Sequence, residues 1–241
     1  MTLPVALVTG GTRGIGAAVV KALLPTHRVC FTGRDVTKVQ EQQEAHLGTG
    51  HETLGVVCNV RETDQVTRLV EEVKAYGALD LVVHCAGITR NALLLRSNDQ
   101  LVQEVMDTNL HGSIRVTRGI LPLLLRQRKG SIIHVASVAG PFMGQSGLSI
   151  YGASKAGLIG LTTCLAKEVG RSGVRVNCLC PGYIHTDMTL DMSPDMVRDL
   201  TSRIPLGRFG EAQEVAQAVL YLHQAQYMTG QTLVLDGGLS T

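Results

Sequence analysis

The chain has 241 residues, 44% hydrophobic and 17% charged, and its 22 basic and 20 acidic side chains leave a formal net charge of +2. That length suits one α/β domain with a well-buried core, and the near-neutral balance gives no electrostatic footprint for nucleic acid as the main partner. No uninterrupted apolar run is long enough to cross a bilayer, and 27 glycines beside only 3% aromatics point to tight turns and close backbone approaches rather than stacked-base recognition.

The predicted elements begin with an apolar strand, Val5 to Val8, followed by Thr9-Gly-Gly-Thr-Arg-Gly-Ile-Gly16 and a helix from about Gly14 to Leu24, where Pro25 stops it. Gly10, Gly14 and Gly16 between a strand and a helix permit a tight turn and let a pyrophosphate approach the helix N-terminus, whose free amides favour anions. The second strand, Arg28 to Thr32, runs into Gly33-Arg34. An acid at that point would hold a ribose 2′-hydroxyl, whereas an arginine suits a 2′-phosphate. Arg34, with Arg13 inside the loop, therefore predicts NADPH, since a guanidinium forks onto phosphate; Asp35 turned inward is the competing reading.

Further strands are expected at Leu54 to Cys58, Leu81 to His84, Ser131 to Ala136, Arg175 to Leu179 and Thr232 to Leu235, with helices between them. Helix-length crossovers between buried apolar strands imply a single doubly wound parallel sheet of about seven strands with helices on both faces, a Rossmann-like α/β fold. Such sheets bind ligands beyond the carboxyl ends of their strands. Ala86-Gly87, Ser137 and Pro181-Gly182 follow the fourth, fifth and sixth strands, so they converge on one edge.

The run Tyr151-Gly-Ala-Ser-Lys155 sets a phenol and an ammonium four residues apart, on one face of a helix. A free tyrosine titrates near pH ~10, and a nearby cation favours its phenolate. That turns a tyrosine into a general acid.

In order and spacing, the phosphate loop, Asn109 in Thr-Asn-Leu-His-Gly, Ser137, Tyr151/Lys155 and Pro181-Gly182 resemble the short-chain dehydrogenase/reductase family from first strand to last. The resemblance implies a catalytic tetrad. Ser137 would donate a hydrogen bond to a substrate carbonyl while Tyr151 gives it a proton. Lys155 would hold the nicotinamide ribose and tune Tyr151, and Asn109 would keep a relay water. It also implies that Gly10, Thr12, Arg13, Gly14, Ile15, Gly16, Arg34, Asn59, Val60, Ala86, Gly87, Pro181 and Gly182, with Tyr151 and Lys155, bind the cofactor. Ile184 would contact the carboxamide and Thr186 would lie near the phosphates, while Met188 to Arg203 would form a substrate lid.

Ala86-Gly-Ile-Thr-Arg90, Ala156-Gly-Leu-Ile-Gly160, Pro181 to Met188, Ile204 to Gly210 and Asp236-Gly-Gly238 resemble the β-ketoacyl-ACP reductases and related animal carbonyl reductases within that family. NADPH-dependent reduction of a β-ketoacyl thioester linked to acyl carrier protein, in fatty acid synthesis, is the implied activity. General carbonyl or quinone reduction is the alternative, as is service as an assembly subunit. A homotetramer, or a mixed tetramer with a 17β-hydroxysteroid-dehydrogenase-like subunit, is the implied assembly. Three departures stand out: His84-Cys85 replaces the family's paired asparagines, Asn59 replaces a common aspartate, and Ser137 and Tyr151 stand about one residue further apart than in the subgroup.

No metal site is expected, because His84, His111 and His185 lack ligand spacing. The cysteines show no paired CxxC and read as free thiols of a reducing compartment. Arg126, Arg128, Lys129 and Arg171 resemble the subgroup's basic surface for an acidic carrier. Residues 1–34 carry Arg13, Lys21, Arg28 and Arg34 but no acid, which suggests an uncleaved mitochondrial matrix signal in a eukaryote and a cytoplasmic protein otherwise. A cleaved presequence is not expected, since its loss would remove the first strand and the phosphate loop.

Overall fold

In the computed structural model, which describes residues 2–47, 50–186, 189 and 193–241, the chain alternates strand and helix. The first half runs β1 (Val5–Thr9), α1 (Gly14–Leu23), β2 (Arg28–Gly33), α2 (Val36–Glu44), β3 (Thr53–Val57), α3 (Thr63–Tyr76) and β4 (Leu79–His84). Next come α4 (Asp99–Met106), a π-helical turn (Asp107–His111), α5 (Gly112–Gln127), β5 (Gly130–Val135), α6 (Ser149–Val169) and β6 (Val174–Pro181). The chain closes with β7 (Ile184–His185), α7 (Pro194–Ser202), β8 (Gly210–Glu211), α8 (Ala212–Gln224) and β9 (Thr232–Leu235).

Seven strands pair in parallel in the order β3-β2-β1-β4-β5-β6-β9, so the strand order reverses between β1 and β4. The sheet is buried on both faces, which is why its strands read as apolar runs rather than alternating ones. Along β1, Val5 and Leu7 pack beneath α3, α5 and α6 against Leu69, Val116, Ile120 and Leu165. Ala6 and Val8 pack on the other face against Val19, Val20 and Leu23 of α1 and Val215, Val219 and Leu222 of α8. Each fully buried Leu, Ile or Val contributes about 1.5–3 kcal/mol of transfer free energy.

The expected strands all form, and β6 runs two residues past its expected end, to Pro181. A two-stranded parallel pair, β7 with β8, was not foreseen; each strand is two residues long, too short for any hydrophobic period to announce. Its effect is to hold the chain after Pro181-Gly182 against Phe209-Gly210. Of the expected lid, Met188, Leu190, Asp191 and Met192 lie outside the described residues. The remainder includes α7, capped by the Ser193 hydroxyl on Met196 N and packed through Leu200, with Ile204, against Phe209 and Tyr183.

Candidate active site

The phosphate loop is built by excluding side chains. Gly10 and Gly14 have φ of +68° and +52°, a left-handed region that glycine enters without penalty. A Cβ on Gly16 would fall 2.0 Å from the Gly10 carbonyl oxygen, so the first turn of α1 can approach the loop only as glycine. The α1 N-cap residue, Arg13, places no side-chain acceptor on the first-turn amides. Those donors face a cleft of about 630 Å³ at the carboxyl ends of β1, β2 and β4. Open amides at a helix N-terminus favour an anion, and a glycine-lined cradle beside a cleft of this volume fits a dinucleotide.

Of the residues expected to hold the cofactor, Gly10, Thr12, Arg13, Gly14, Ile15, Gly16, Arg34, Val60, Ala86, Gly87 and Thr186 line this cleft. Thr186 comes to the loop from the far half of the fold, with its methyl 3.4 Å from where a Gly14 Cβ would stand. Asn59, Tyr151, Lys155, Pro181, Gly182 and Ile184 are not on the cleft wall. The Asn59 carboxamide oxygen accepts from Arg61 N at 3.2 Å, while Gln65 Oε1 caps Asn59 N at 2.8 Å. Pro181 O accepts from Val138 N at 3.1 Å and thereby ties the loop after β5 to the end of β6.

At the end of β2, Arg34, Asp35 and Lys38 all line the cleft. The Asp35 carboxylate caps α2, accepting from Thr37 N at 3.0 Å and Lys38 N at 3.3 Å. It is committed to its own helix. Arg34 lines the cleft, and so does Lys38, a cation the sequence reading missed. The available signal was its spacing, four residues from Arg34 across a capped helix start.

The catalytic side is built from named atoms. Tyr151 and Lys155 lie in the first two turns of α6, with the Lys155 ammonium 5.6 Å from the Tyr151 ring centroid. Lys155 is buried, and its Nζ donates to Val135 O at the end of β5, 2.8 Å away. One residue beyond β5 and Ala136, Ser137 accepts from Ala139 N at 3.1 Å, a bond that leaves its hydroxyl hydrogen to donate elsewhere. Asn109 occupies the π-helical turn and is fully buried. Such one-turn widenings of a helix recur at functional sites.

Asn109 works as a three-way clamp. Its Oδ1 accepts from Ile88 N at 2.8 Å, and its Nδ2 donates to Ile88 O at 2.9 Å and to Ser154 Oγ at 3.0 Å. The chain after β4 is thereby fixed to the helix that carries Tyr151. Both amide hydrogens are used, so a relay water would be held by the remaining lone pair of Oδ1. That oxygen and Lys155 Nζ each lie 3.4 Å from the Cβ position of Gly87, so both face the same backbone atom.

The departures from the family pattern also find places. His84 turns away from the cleft: Nε2 meets Thr117 Oγ1 of α5 at 2.9 Å, and the ring stacks 5.0 Å from His134, whose Nδ1 meets Thr162 Oγ1 of α6 at 2.9 Å. Burial drives the His84 pKa well below that of a free imidazole, and burial followed by the nearby Lys155 charge lowers His134 to about 4. Both rings are neutral at physiological pH. Cys85 lines the cleft, with burial pushing its thiol up to about 12, which makes it a packing group rather than a nucleophile.

The loop between Ser137 and Tyr151 contains a tight turn. Gly140 N donates to Met143 O, while Phe142 N and Met143 N both donate to Val138 O. Gly140, at φ +99°, sits so close to Gly152 that a Cβ would lie 2.4 Å from the Gly152 Cα. The loop therefore rests on α6 directly after Tyr151. Gln145 Oε1 accepts from the Tyr183 hydroxyl at 3.0 Å, linking that loop to the segment after β6.

Of the histidines weighed as metal ligands, His111 pairs with Asp107 at 2.7 Å and His185 packs on Phe209. The basic cluster lies at the end of the sheet away from this chain's own cleft. Arg126, Arg128 and Lys129 precede β5 and Arg171 precedes β6, whereas Ser137 follows β5. They stand at the opposite edge of the sheet, about 20 Å away by strand rise.

A dinucleotide cradle beside a Ser, Tyr and Lys set that can protonate a carbonyl oxygen defines a nicotinamide-dependent oxidoreductase. Residues 10–240 match the family model described as enoyl-(acyl carrier protein) reductase, and the chain belongs to the short-chain dehydrogenase/reductase family. It is 42% identical over 237 residues to carbonyl reductase family member 4 of Xenopus tropicalis, covering 98% of this chain and 97% of that one. It is 41% identical over 237 residues to 3-oxoacyl-[acyl-carrier-protein] reductase of Bos taurus, with the same coverage. A variant of actinorhodin polyketide ketoreductase solved with NADPH superposes with a TM-score of 0.94 at 32% identity, covering 100% of both chains.

Proposed function

We propose that this chain reduces the ketone of a β-ketoacyl thioester carried on acyl carrier protein to the β-hydroxyacyl thioester, with NADPH as reductant. The observation that carries the reading is the anchoring of α6: Asn109 holds Ser154, and Lys155 Nζ, on the same helix as Tyr151, reaches Val135 O at the end of the strand that leads to Ser137. Relatives named for 3-oxoacyl reduction at about 40% identity over nearly the whole chain point to the same substrate class.

NADPH would lie along Gly10 to Gly16 with its 2′-phosphate toward Arg34 and Lys38; it supplies a hydride. The chain's own residues do the rest. Ser137 donates a hydrogen bond to the ketone oxygen, and Tyr151 donates another and then transfers its proton as negative charge develops there. Lys155, anchored on Val135 O, sets its ammonium beside the phenol and would stabilise the phenolate left behind. A water on Asn109 Oδ1 would reprotonate Lys155 and, through it, Tyr151.

The assembly we propose is a tetramer, of this chain alone or mixed with a 17β-hydroxysteroid-dehydrogenase-like subunit. Its support is the half-buried apolar edge strand β9, which offers an unpaired rim. An acidic carrier docking on Arg126, Arg128 and Arg171 would then serve a neighbouring subunit's cleft. For compartment, we propose the mitochondrial matrix in a eukaryote, directed by residues 1–34, and the cytoplasm otherwise; a reporter fused to residues 1–34 that stays cytosolic counts against the import signal.

The deciding assay follows NADPH oxidation with acetoacetyl thioesters and a quinone panel. Preference for the thioester supports the reading. Turnover of quinones alone favours the general carbonyl reductase that the first relative's name suggests.

A further inference from the structure

At the sheet edge opposite the cleft, three side chains far apart in sequence converge. His27 sits between α1 and β2, Asp80 is the second residue of β4, and His223 lies in the last turn of α8. The Nε2 atoms of His27 and His223 stand 3.7 and 3.4 Å from the same Asp80 oxygen, Oδ2. One donor atom from each of the three residues falls within 4.8 Å of the others. We propose that His27, Asp80 and His223 form a binding site for a transition-metal dication of the zinc class, tying the α1/α8 helix pair to the sheet.

The strongest sign is His27. Its side chain is only 5% exposed, and its Nε2 is buried with no hydrogen-bond partner. Its other nitrogen, Nδ1, is 2.8 Å from Thr26 Oγ1, a hydroxyl whose own hydrogen can go to Leu23 O at 3.3 Å. In the tautomer with Nδ1–H donating to Thr26, the Nε2 lone pair faces the Asp80 carboxylate. Lone pair against carboxylate is repulsive unless a cation lies between them. Fixing one imidazole nitrogen by a hydrogen bond so that the other faces the ion is how metal-bound histidines are ordinarily held.

The surroundings divide the labour in the same way. Lys129 Nζ takes the other Asp80 oxygen, Oδ1, at 3.0 Å, leaving Oδ2 to the imidazoles. Arg175 donates to the carbonyls of Leu222, His223, Ala225 and Met228, which fixes the helix end that presents His223. A tetrahedral zinc with bonds of about 2.0–2.1 Å spaces its ligand atoms about 3.4 Å apart, close to the 3.4 and 3.7 Å seen. Two imidazoles and one carboxylate suit Zn²⁺, Ni²⁺ or Cu²⁺ better than Mg²⁺ or Ca²⁺, which prefer all-oxygen sets. Three protein ligands and the nearby Lys129 and Arg175 charges favour a site weaker than a closed four-ligand zinc site.

The test uses the full chain, stripped with chelator and kept with NADPH. Zn²⁺ titrated calorimetrically should bind at one equivalent per chain and raise Tm by about 5 °C or more at a hundredfold excess over Kd, while Mg²⁺ does neither. Co²⁺ should give the visible absorption of a tetrahedral centre. His223→Asn, and separately His27→Asn, should abolish the Co²⁺ spectrum and the Zn²⁺-dependent Tm gain while carbonyl reduction persists. His223 is the more exposed of the two, so His223→Asn serves if His27→Asn fails to fold. Absence of one-equivalent binding, or full retention of it in the His223 variant, overturns the proposal; so does a Tm that follows pH but not metal, which would make the occupant a proton.

Discussion

The two sides of the cleft are made in opposite ways. Around β1 and α1 the site consists of backbone: Gly10, Gly14 and Gly16 matter because nothing projects from them, and amides and helix dipole meet the ligand. Around β5 and α6 it consists of individual atoms, the Tyr151 phenol, the Lys155 ammonium held on Val135 O and the Asn109 carboxamide held on Ile88. The first kind of site fails when any atom is added. The second fails when one atom is removed, even if the shape is kept.

The largest contrast should come from removing a single oxygen. Tyr151→Phe should bind NADPH and melt as the unmodified chain does, yet lose turnover ~100- to 10,000-fold, the usual contribution of general acid catalysis. Steady-state kinetics beside cofactor fluorescence titration would show it, and near-normal turnover would remove Tyr151 from the chemistry. The opposite failure is expected of Gly16→Ala, which forces a Cβ against the Gly10 carbonyl oxygen. It should cost about 1–3 kcal/mol of stability and weaken NADPH binding, read by thermal melting with and without cofactor.

The buried His84/His134 pair behind the catalytic side gives that half its own pH signature. With the His134 pKa at about 4 in the folded chain against ~6.5 when unfolded, the unfolded chain binds more protons across that window. Stability is complete above pH ~6.5 and falls as pH drops toward 4, by at most about 3 kcal/mol. Melts between pH 7 and 5 should show the decline, and His134→Gln should reduce it, with His84 holding the remainder. An equal decline in the variant would place the titrating groups elsewhere.

The smallest effect separates the backbone cradle from its side-chain discriminators. Arg34→Ala should lower the preference for NADPH over NADH by about one to two decades, the worth of one charge-assisted hydrogen bond. Lys38 should hold the residual preference, which Lys38→Ala would then remove. Equal use of both cofactors by the unmodified chain would contradict the reading of β2.

What the sequence disclosed follows the same division. The phosphate loop and the Tyr151/Lys155 pair are local patterns whose chemistry depends on spacing along one element, and the apolar strands announce themselves because both sheet faces are buried. Contacts that depend on the third dimension stayed hidden. Nothing in the chain before folding joins Asn109 to Ile88 and Ser154, or brings His27 and His223 to one carboxylate. The Arg126 to Lys129 cluster precedes β5, and in a parallel sheet that binds ligands at its carboxyl ends this order already sets it at the far end from the site.

The family model's description names enoyl reduction, whereas the curated relatives name reduction of a 3-oxo group. The most direct test of the central claim is therefore to supply NADPH bearing deuterium on its transferable position and follow the label by NMR, with acetoacetyl and crotonyl thioesters offered together. The account predicts deuterium on C3 of a β-hydroxyacyl thioester, formed with Tyr151 protonating the oxygen, and an unreacted crotonyl thioester. Label appearing in a saturated butyryl thioester while the acetoacetyl substrate remains would contradict it.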